Sequence, residues 1–428
     1  MSRSAPPAHP EPGSLNAATD SAWAVFWVFL RLGLTSFGGP VAHLGYFRDE
    51  LVVRRRWLSE HSYADLVALC QFLPGPASSQ VGMALGLMRA GWAGAAAAWL
   101  GFTLPSAVAL ALLGLGFSSW GAGMPAGLVQ GLKVVAVAVV AQAVWGMARS
   151  LCASAGRAAL MLAACALTLW QPGVAGQMVA MVLAGVVGWW VWGRGLGRVR
   201  AIAPAQPAGA DDAWHIPHGH RTGLALLGLF AILLLALPWI AGQCATLSAG
   251  AFAVSVLDAF YRAGALVFGG GHVVLPLLQS AVVGPGWVSA DAFLAGYGAT
   301  QAVPGPLFTF AAFLGGAMAP GWAGAGLALL CTVGIFLPAF LLVAGALPLW
   351  AQLRQRPWAR GVLAGVNTAV VGLLLAALYQ PVATSALHSA ADVVLAGMAL
   401  AALLWWRLPP WVVVLVTALA AWGWYGFH

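Results

Sequence analysis

Long apolar runs dominate this chain, and glycine and proline punctuate them more often than charge does. Windows of about 20 residues without a charged side chain recur, the length a helix needs to cross a bilayer. Runs at 92–117, 127–149, 156–170 and 175–193 read as crossing helices. Other runs are broken near their centres. QFLPGP at 71–76 and QAVPGP at 301–306 break two, and FGGP at 37–40 and FGGG at 268–271 break two more. Proline lacks the N–H a helix interior needs and clashes with the preceding turn, so Pro-Gly-Pro ends a helix.

The breaks come in register. FLRLGLTSFGGP from residue 29 pairs Phe29, Arg31, Gly33, Phe37, Gly38 and Gly39 with Phe260, Arg262, Gly264, Phe268, Gly269 and Gly270 at one offset. The offset then shortens by one residue and holds. Trp57 meets Trp287, Ser59 meets Ser289, Gln71 meets Gln301, and GWAG at 91 meets GWAG at 321. Further on, GLVQGLKVVAV from 127 resembles GVLAGVNTAVV from 361 and sets Lys133 opposite Asn367. Small-residue composition alone does not pair Arg, Trp, Gln and Pro-Gly-Pro at one offset. Internal repeats of this kind are common in transporters. The expected organisation is a disordered tail at 1–21, a first membrane repeat at 22–193, a cytoplasmic linker at 194–221 and a second membrane repeat at 222–427 with an extra leading helix. The polar, proline-containing tail does not read as a secretory leader. The linker has no apolar period. Its His215, His218 and His220 read as solvated loop side chains, with weak metal binding as the alternative.

Charge sets the orientation of the halves. Arg54, Arg55 and Arg56 precede the first Pro-Gly-Pro, and the matching loop VVGPGWVSAD has no Lys or Arg. Conversely, Arg354, Arg356 and Arg360 lie between two later helices, where the first half has the uncharged SSWGAGMPAG. Positive charge marks opposite loops in the two copies, as an inverted-topology repeat requires. Parity then makes 63–90 begin and end on one face, and 291–318 on the other. It also asks the FGG segments to be re-entrant, with return arms at 41–53 and 272–283. The expected fold class is an all-α polytopic membrane protein of two inverted-topology homologous repeats with broken or re-entrant helices. It has about nine full crossings plus four broken elements, a cytoplasmic N-terminus and a periplasmic C-terminus.

Composition narrows the function. The 428 residues are 61% hydrophobic and 7% charged, with 22 tryptophans. A soluble domain carries about a quarter charged residues, so this chain cannot cover a water-facing surface. The net charge of +8 clusters at segment ends, which reads as the positive-inside rule and not as nucleic-acid binding. Glycines and runs such as AGAAAAW suit close helix packing in lipid. Cys70, Cys152, Cys165, Cys244 and Cys331 lack CxxC or metal-ligand spacing and read as small buried side chains, so no metal or cofactor is expected. HExxH, GxSxG and Walker-type motifs are absent from the sequence, which points to a channel or secondary transporter and away from an enzyme.

The breaks are the candidate site. In lipid, unpaired backbone groups survive only inside protein or beside a water-filled cavity. Proline at the first helical position lets each helix restart, aiming the N–H groups of Ala77 to Ser79 and of Leu307 to Thr309 at the tip. A helix N-terminus carries about half a positive charge and binds anions. In an inverted repeat two such ends, at Pro74, Gly75, Pro76 and at Pro304, Gly305, Pro306, converge on one shared anion. Ser78, Ser79 and Thr309 add hydroxyls, and Gln71 and Gln301 add amides. Gly38, Gly39, Gly269 and Gly270 offer bare backbone. Arg31, Arg262 and Lys133 lie within apolar segments, where cations mark ion paths and suit an anionic substrate. The alternative for each is a snorkelling side chain or, for Arg262, a structural pair with Asp258. Arg89 reads as a loop charge. His43 and His272 follow the FGG breaks and serve either as proton carriers or as hydrogen-bonded structural residues.

LTSFGGPVAHLGYF from 34, QFLPGPASSQVGMALG from 71, GGGHVVLPLL from 269 and QAVPGPLFTFAAFLG from 301 resemble the chromate ion transporter family, in its long two-domain form, over residues 22–427. The resemblance implies an inner-membrane exporter of chromate that confers chromate resistance and is driven by the proton gradient, with sulfate as the competing tetrahedral dianion. It carries function onto Gly38, Gly39 and Pro40, onto Pro74 to Pro76, onto Gly269 to Gly271 and onto Pro304 to Pro306. Pro40 against Gly271 is a departure between the copies. The residues by themselves lead to an anion transporter and stop short of chromium. Expected partners are a chromate- or sulfate-like oxyanion, protons and the bilayer, with a homodimer left open and no nucleic acid. The competing readings are an anion channel, a transporter of another oxyanion, and a membrane scaffold or enzyme. Cysteines placed at Ser59 and Ser289 should react with a membrane-impermeant maleimide from opposite faces of sealed vesicles. Labelling of both from one face contradicts the inversion.

Overall fold

The computed structural model describes residues 20–120, 125–193, 214, 216–243, 249–268, 270–350 and 357–426. Among these, every regular element is helical. The first half contains α1 (Ala22–Thr35), α2 (Gly39–Phe47, continued by a π turn at Arg48–Arg54), α3 (Glu60–Phe72), α4 (Ala77–Trp120), α5 (Ala126–Leu151), α6 (Ala155–Trp170) and α7 (Val174–Gly188, continued by a π turn at Trp189–Gly193). Then comes α8 (His220–Gln243). The second half contains α9 (Ala249–Ala265), α10 (Val274–Val282), α11 (Ala290–Thr300), α12 (Phe310–Met318), α13 (Gly321–Ala346), α14 (Pro357–Ala377), α15 (Ala390–Leu404) and α16 (Pro410–Gly426). The long α4 is two limbs joined at a kink, where Ala90 and Gly91 leave helical geometry. Gly91 and Gly321 share φ +62, so the second limb of α4 and helix α13 begin on the same turn. With α4 counted as two limbs, the eight elements of the first half correspond in order to α9–α16. The local signals repeat too. Ser59 and Ser289 cap α3 and α11 by accepting from the N–H groups of Ser62 and Ala292.

Contacts between element ends show which segments turn back. Asp20, just before α1, pairs with Arg89 at the end of the first limb of α4 (2.9 Å), and that guanidinium lies over the ring of Trp57, just before α3 (5.4 Å). Arg89 is therefore a paired residue and not a free loop charge. Segments 22–54 and 60–89 thus each enter and return at one face. In the second half, Phe252 near the start of α9 packs edge-on against Trp287, just before α11. The Ser118 hydroxyl, at the end of α4, donates to the Ala319 carbonyl (3.2 Å), so α13 starts where α4 finishes. Trp92, at the start of the second α4 limb, packs on Phe340 near the end of α13, so these two helices run antiparallel. His218 is not a solvated loop side chain. Its Nε2 bonds the Ala344 carbonyl at 2.8 Å and its ring stacks on Trp92. His215, Arg354, Arg356, Gly269, the tail 1–19 and the linker stretch 194–213 lie outside the described residues.

The halves exchange helices. α6 and α7 pack on α14 of the second half, while α15 and α16 pack on α5 of the first. Lipid is as apolar as leucine, so association depends on close backbone approach. A Cβ on Gly188 would overlap the Gly361 carbonyl oxygen, one on Gly372 would overlap the Met161 carbonyl, and one on Gly131 would sit 2.7 Å from the Ala418 Cα. Among the described residues, six helices are long and apolar enough to cross a membrane: Ala77–Ser119, Ala126–Leu151, Ala175–Gly193, His220–Gln243, Gly321–Leu349 and Arg360–Ala386. Helices α6, α15 and α16 have 16, 15 and 17 residues, so reaching across a core of about 30 Å takes their flanking turns as well. Helix α8 lies along α9 and α13, and only 6% of its apolar window is buried. Gly188→Leu should lower stability by about 1–3 kcal/mol in detergent thermal unfolding. Gly397→Leu, with nothing within 4 Å of its Cβ, should leave it unchanged.

Candidate functional site

Four broken elements bring their tips together inside the bundle, and the tips bond each other across the halves. Gly75 of the first Pro-Gly-Pro donates its N–H to the Val267 carbonyl at 2.7 Å. Gly305 of the second donates to the Ser36 carbonyl at 3.0 Å. Ser36 and Val267 are repeat equivalents, each closing the arm that precedes an FGG break. Each break therefore satisfies a carbonyl left over by the other half's broken helix, away from water, where an unpaired group costs several kcal/mol. Both glycines sit at positive φ, +115 and +105, and are closely walled. A Cβ on Gly75 would lie 3.1 Å from the Ala339 Cβ, and one on Gly305 would lie 2.7 Å from the Ser106 Oγ. The FGG tips also meet. A Cβ on Gly271 would lie 3.3 Å from the Leu307 Cβ and 3.5 Å from the Pro40 Cγ. Two prolines would crowd this crossing, which accounts for the departure between the copies.

The first Pro-Gly-Pro tip carries most of the polar groups. Pro76 caps α4 from outside the helix, one position before that expected, and the ladder opens with Gln80 N–H donating to the Pro76 carbonyl (2.9 Å). The N–H groups of Ala77, Ser78 and Ser79 are left outside the ladder. The side chains of His43, Ser78, Ser79 and Gln80 are buried beside them, and the same half adds buried Ser36, Thr103 and Ser106, of which Ser36 and Ser106 meet Gly305. His43 Nδ1 lies 3.5 Å from the Ser78 Oγ, and the imidazole stands edge-on to Phe102. The Gln80 amide donates to the Pro74 carbonyl at 2.8 Å, inside the turn. Five buried atoms here have no partner: Ser36 Oγ, His43 Nε2, Ser79 Oγ, Gln80 Oε1 and Thr103 Oγ1. A buried polar group left unpaired is costly, and this half carries five of them near the crossing of the tips. The second half is different. The positions equivalent to Ser36, Ser78, Gln80, Thr103 and Ser106 hold Val267, Phe308, Phe310, Phe336 and Ala339. Thr309 keeps a hydroxyl, but donates it to the Pro306 carbonyl at 2.6 Å, and its N–H goes to the same oxygen at 3.0 Å.

The remaining candidates are dispersed. Pro74 and Pro304 hold their turns, with Pro306 outside the second helix start. Gly38, Gly39 and Gly270 adopt positive φ at the FGG tips. Gln71 is exposed, and Gln301 is half-buried with its amide nitrogen unpartnered. His272 Nδ1 bonds the Tyr297 hydroxyl at 2.6 Å, deep in the second half. None of the three cations faces the first tip as a free charge. Arg31 is exposed on α1 and its charge reaches Glu50. Arg262 pairs with Asp258 one turn back along α9. Lys133 on α5 pairs with Asp291 at the start of α11, 2.6 Å away. Sequence reading missed Ser36, Gln80, Thr103 and Ser106. The signal available was lone polar residues in apolar runs whose repeat equivalents are apolar.

A bundle of apolar helices with an enclosed polar site between broken ones defines a polytopic α-helical membrane protein. The chain belongs to the chromate transporter family, whose model matches residues 23–189 and again 254–422. It is 29% identical over 418 residues to the chromate transport protein of Pseudomonas aeruginosa, covering 94% of this chain and 92% of that one. It is 27% identical to the chromate transport protein of Cupriavidus metallidurans (88% and 87% covered) and 27% identical to a probable chromate transport protein of Synechococcus elongatus (82% and 82%). No solved structure matches it. Gly75→Ala and Gly305→Ala should each cost about 1–3 kcal/mol of stability in detergent unfolding. Gly146→Ala, in open space on α5, should be neutral.

Proposed function

We propose that this chain is a secondary transporter that carries chromate out of the cytoplasm, coupled to protons, and that the oxyanion binds at the first Pro-Gly-Pro tip. The family membership supports the substrate class. The observation that carries the site is the set of five unpartnered buried polar atoms around the free N–H groups of Ala77, Ser78 and Ser79. Backbone N–H groups at a helix start, with hydroxyl and amide donors beside them, hold a tetrahedral dianion without a fixed cation. Sulfate has the same shape and charge and competes. The site is one-sided: the second half contributes Gly305 and the wall of the turn, while the first contributes the donors. His43 is the titratable side chain in contact with these donors, which makes it the candidate for proton coupling.

Orientation follows from charge. Arg54, Arg55 and Arg56 share a face with Asp20, Trp57 and Arg89, and the positive-inside rule puts that face in the cytoplasm of a bacterial inner membrane. On this reading the two halves are inverted-topology repeats, the N-terminus is cytoplasmic and α16 ends on the far side. A channel with the same breaks is the alternative, and uphill movement separates the two.

Everted vesicles loaded by a proton gradient should accumulate radiolabelled chromate, and excess sulfate should suppress it. Ser79→Ala and Gln80→Ala should each lower the rate about tenfold, the scale of one hydrogen bond to a charged group. His43→Gln should retain chromate binding and lose the dependence on the proton gradient. Wild-type flux in all three variants sinks the site.

A further inference from the structure

The two halves correspond element by element, but they are not packed alike. Helix α11 lies against α5, and Phe293 to Thr300 are buried without interruption. A Cβ on Gly298 would overlap the Leu132 carbonyl, and Ala295 and Ala299 pack with Leu132 and Val135. The Lys133–Asp291 ion pair fastens this contact at the start of α11. The equivalent contact in the other half would be α3 against α14. No comparable packing joins those two helices among the described residues. Ala64 and Gln71 on α3 are exposed, and Val67 and Ala68 are half-buried. The α14 residue equivalent to Leu132 is Val366, which packs on Gly185 of α7 and borders an apolar cavity of about 550 Å³ between α7 and α14 that Phe268 also lines.

The residues equivalent to the ion pair are His61, for Asp291, and Asn367, for Lys133. Each has a buried atom without a partner, His61 Nε2 and Asn367 Oδ1. One can donate and the other accept. The half that is packed has its pair made, and the half that is open has the two complementary atoms unused.

We infer that Lys133–Asp291 and His61–Asn367 are alternate gate pairs, with the structure holding the first made and the second open. In the exchanged state α11 leaves α5, α3 docks on α14 around Val366, and the His61 Nε2–H donates to the Asn367 Oδ1. The polar tip, enclosed in this structure, then opens to the α11 side. This rests on the transport reading and adds its moving parts. Two arrangements of one packed interface form a bistable element, and a substrate shifts it by binding the two states unequally.

The test uses the full-length chain with its native cysteines replaced, carrying either Lys133→Cys with Asp291→Cys or His61→Cys with Asn367→Cys. Cross-linking by o-phenylenedimaleimide in membranes reads each gate directly, without reference to flux. The 133/291 pair should cross-link readily in the absence of substrate and the 61/367 pair weakly. Asp291→Asn, which breaks the ion pair, should raise 61/367 cross-linking several-fold. Pulsed EPR between spin labels at the same two positions should show a shorter distance component growing in parallel. An unchanged distance distribution and no 61/367 cross-link, in protein that still accumulates chromate, overturns the gate pairs and leaves the transport reading standing. Exchange of the two cross-links without any chromate flux supports the gates and removes chromate as the cargo.

Discussion

A backbone amide inside a bilayer must find a protein partner, and the whole arrangement depends on how this chain meets that demand. Four of its helices stop part-way. Each stop leaves donors and acceptors that lipid cannot satisfy. The chain resolves half of the problem by crossing the tips, with Gly75 N–H on the Val267 carbonyl and Gly305 N–H on the Ser36 carbonyl. The positive φ of both glycines and the crowding by Ala339 and Ser106 follow from that crossing. So does the need for two halves, because neither break is complete without the other. The donors that remain outside this crossing and outside the α4 ladder are those of Ala77 to Ser79.

Duplication usually suggests that a site is shared equally, but here the polar atoms belong mostly to one copy. The first copy carries Ser78, Gln80, Thr103 and Ser106, while Phe308, Phe310, Phe336 and Ala339 occupy the equivalent places in the second. One copy has kept donors and the other has become a packing surface. The cations follow the same logic of local pairing. Arg262 answers Asp258 and Lys133 answers Asp291, so their charge is neutralised nearby and does not reach the tip.

Much of this was legible in the residues. The all-helical membrane class follows from the apolar runs, and the breaks at 71–76 and 301–306 are where α3 and α11 end. The return of 22–54 to its starting face is faintly marked in the sequence, since VAHLGYFRDELVV is only modestly apolar. The Asp20–Arg89 pair and the Arg89–Trp57 contact show that return directly. The packing partners were not legible. Which cation meets which acid depends on helix neighbours, and Lys133 and Asp291 are too far apart in the chain for any local rule. The one-sided site was hidden for a related reason. Single serines and threonines in apolar runs usually bond back to their own helix, as Thr300 and Thr332 do here, so their presence alone does not announce a site.

The exchange of helices has a consequence for how the protein is made. Helices α6 and α7 leave the ribosome early, but the surface they pack on, α14, is synthesised much later. At typical elongation rates of about 5–20 residues per second that interval is on the order of ten seconds or more. Through that time the faces that α6 and α7 turn toward α14 have only lipid beside them. The first half is thus inserted as a set of unfinished parts, and it becomes a folded body only when the second half threads between them.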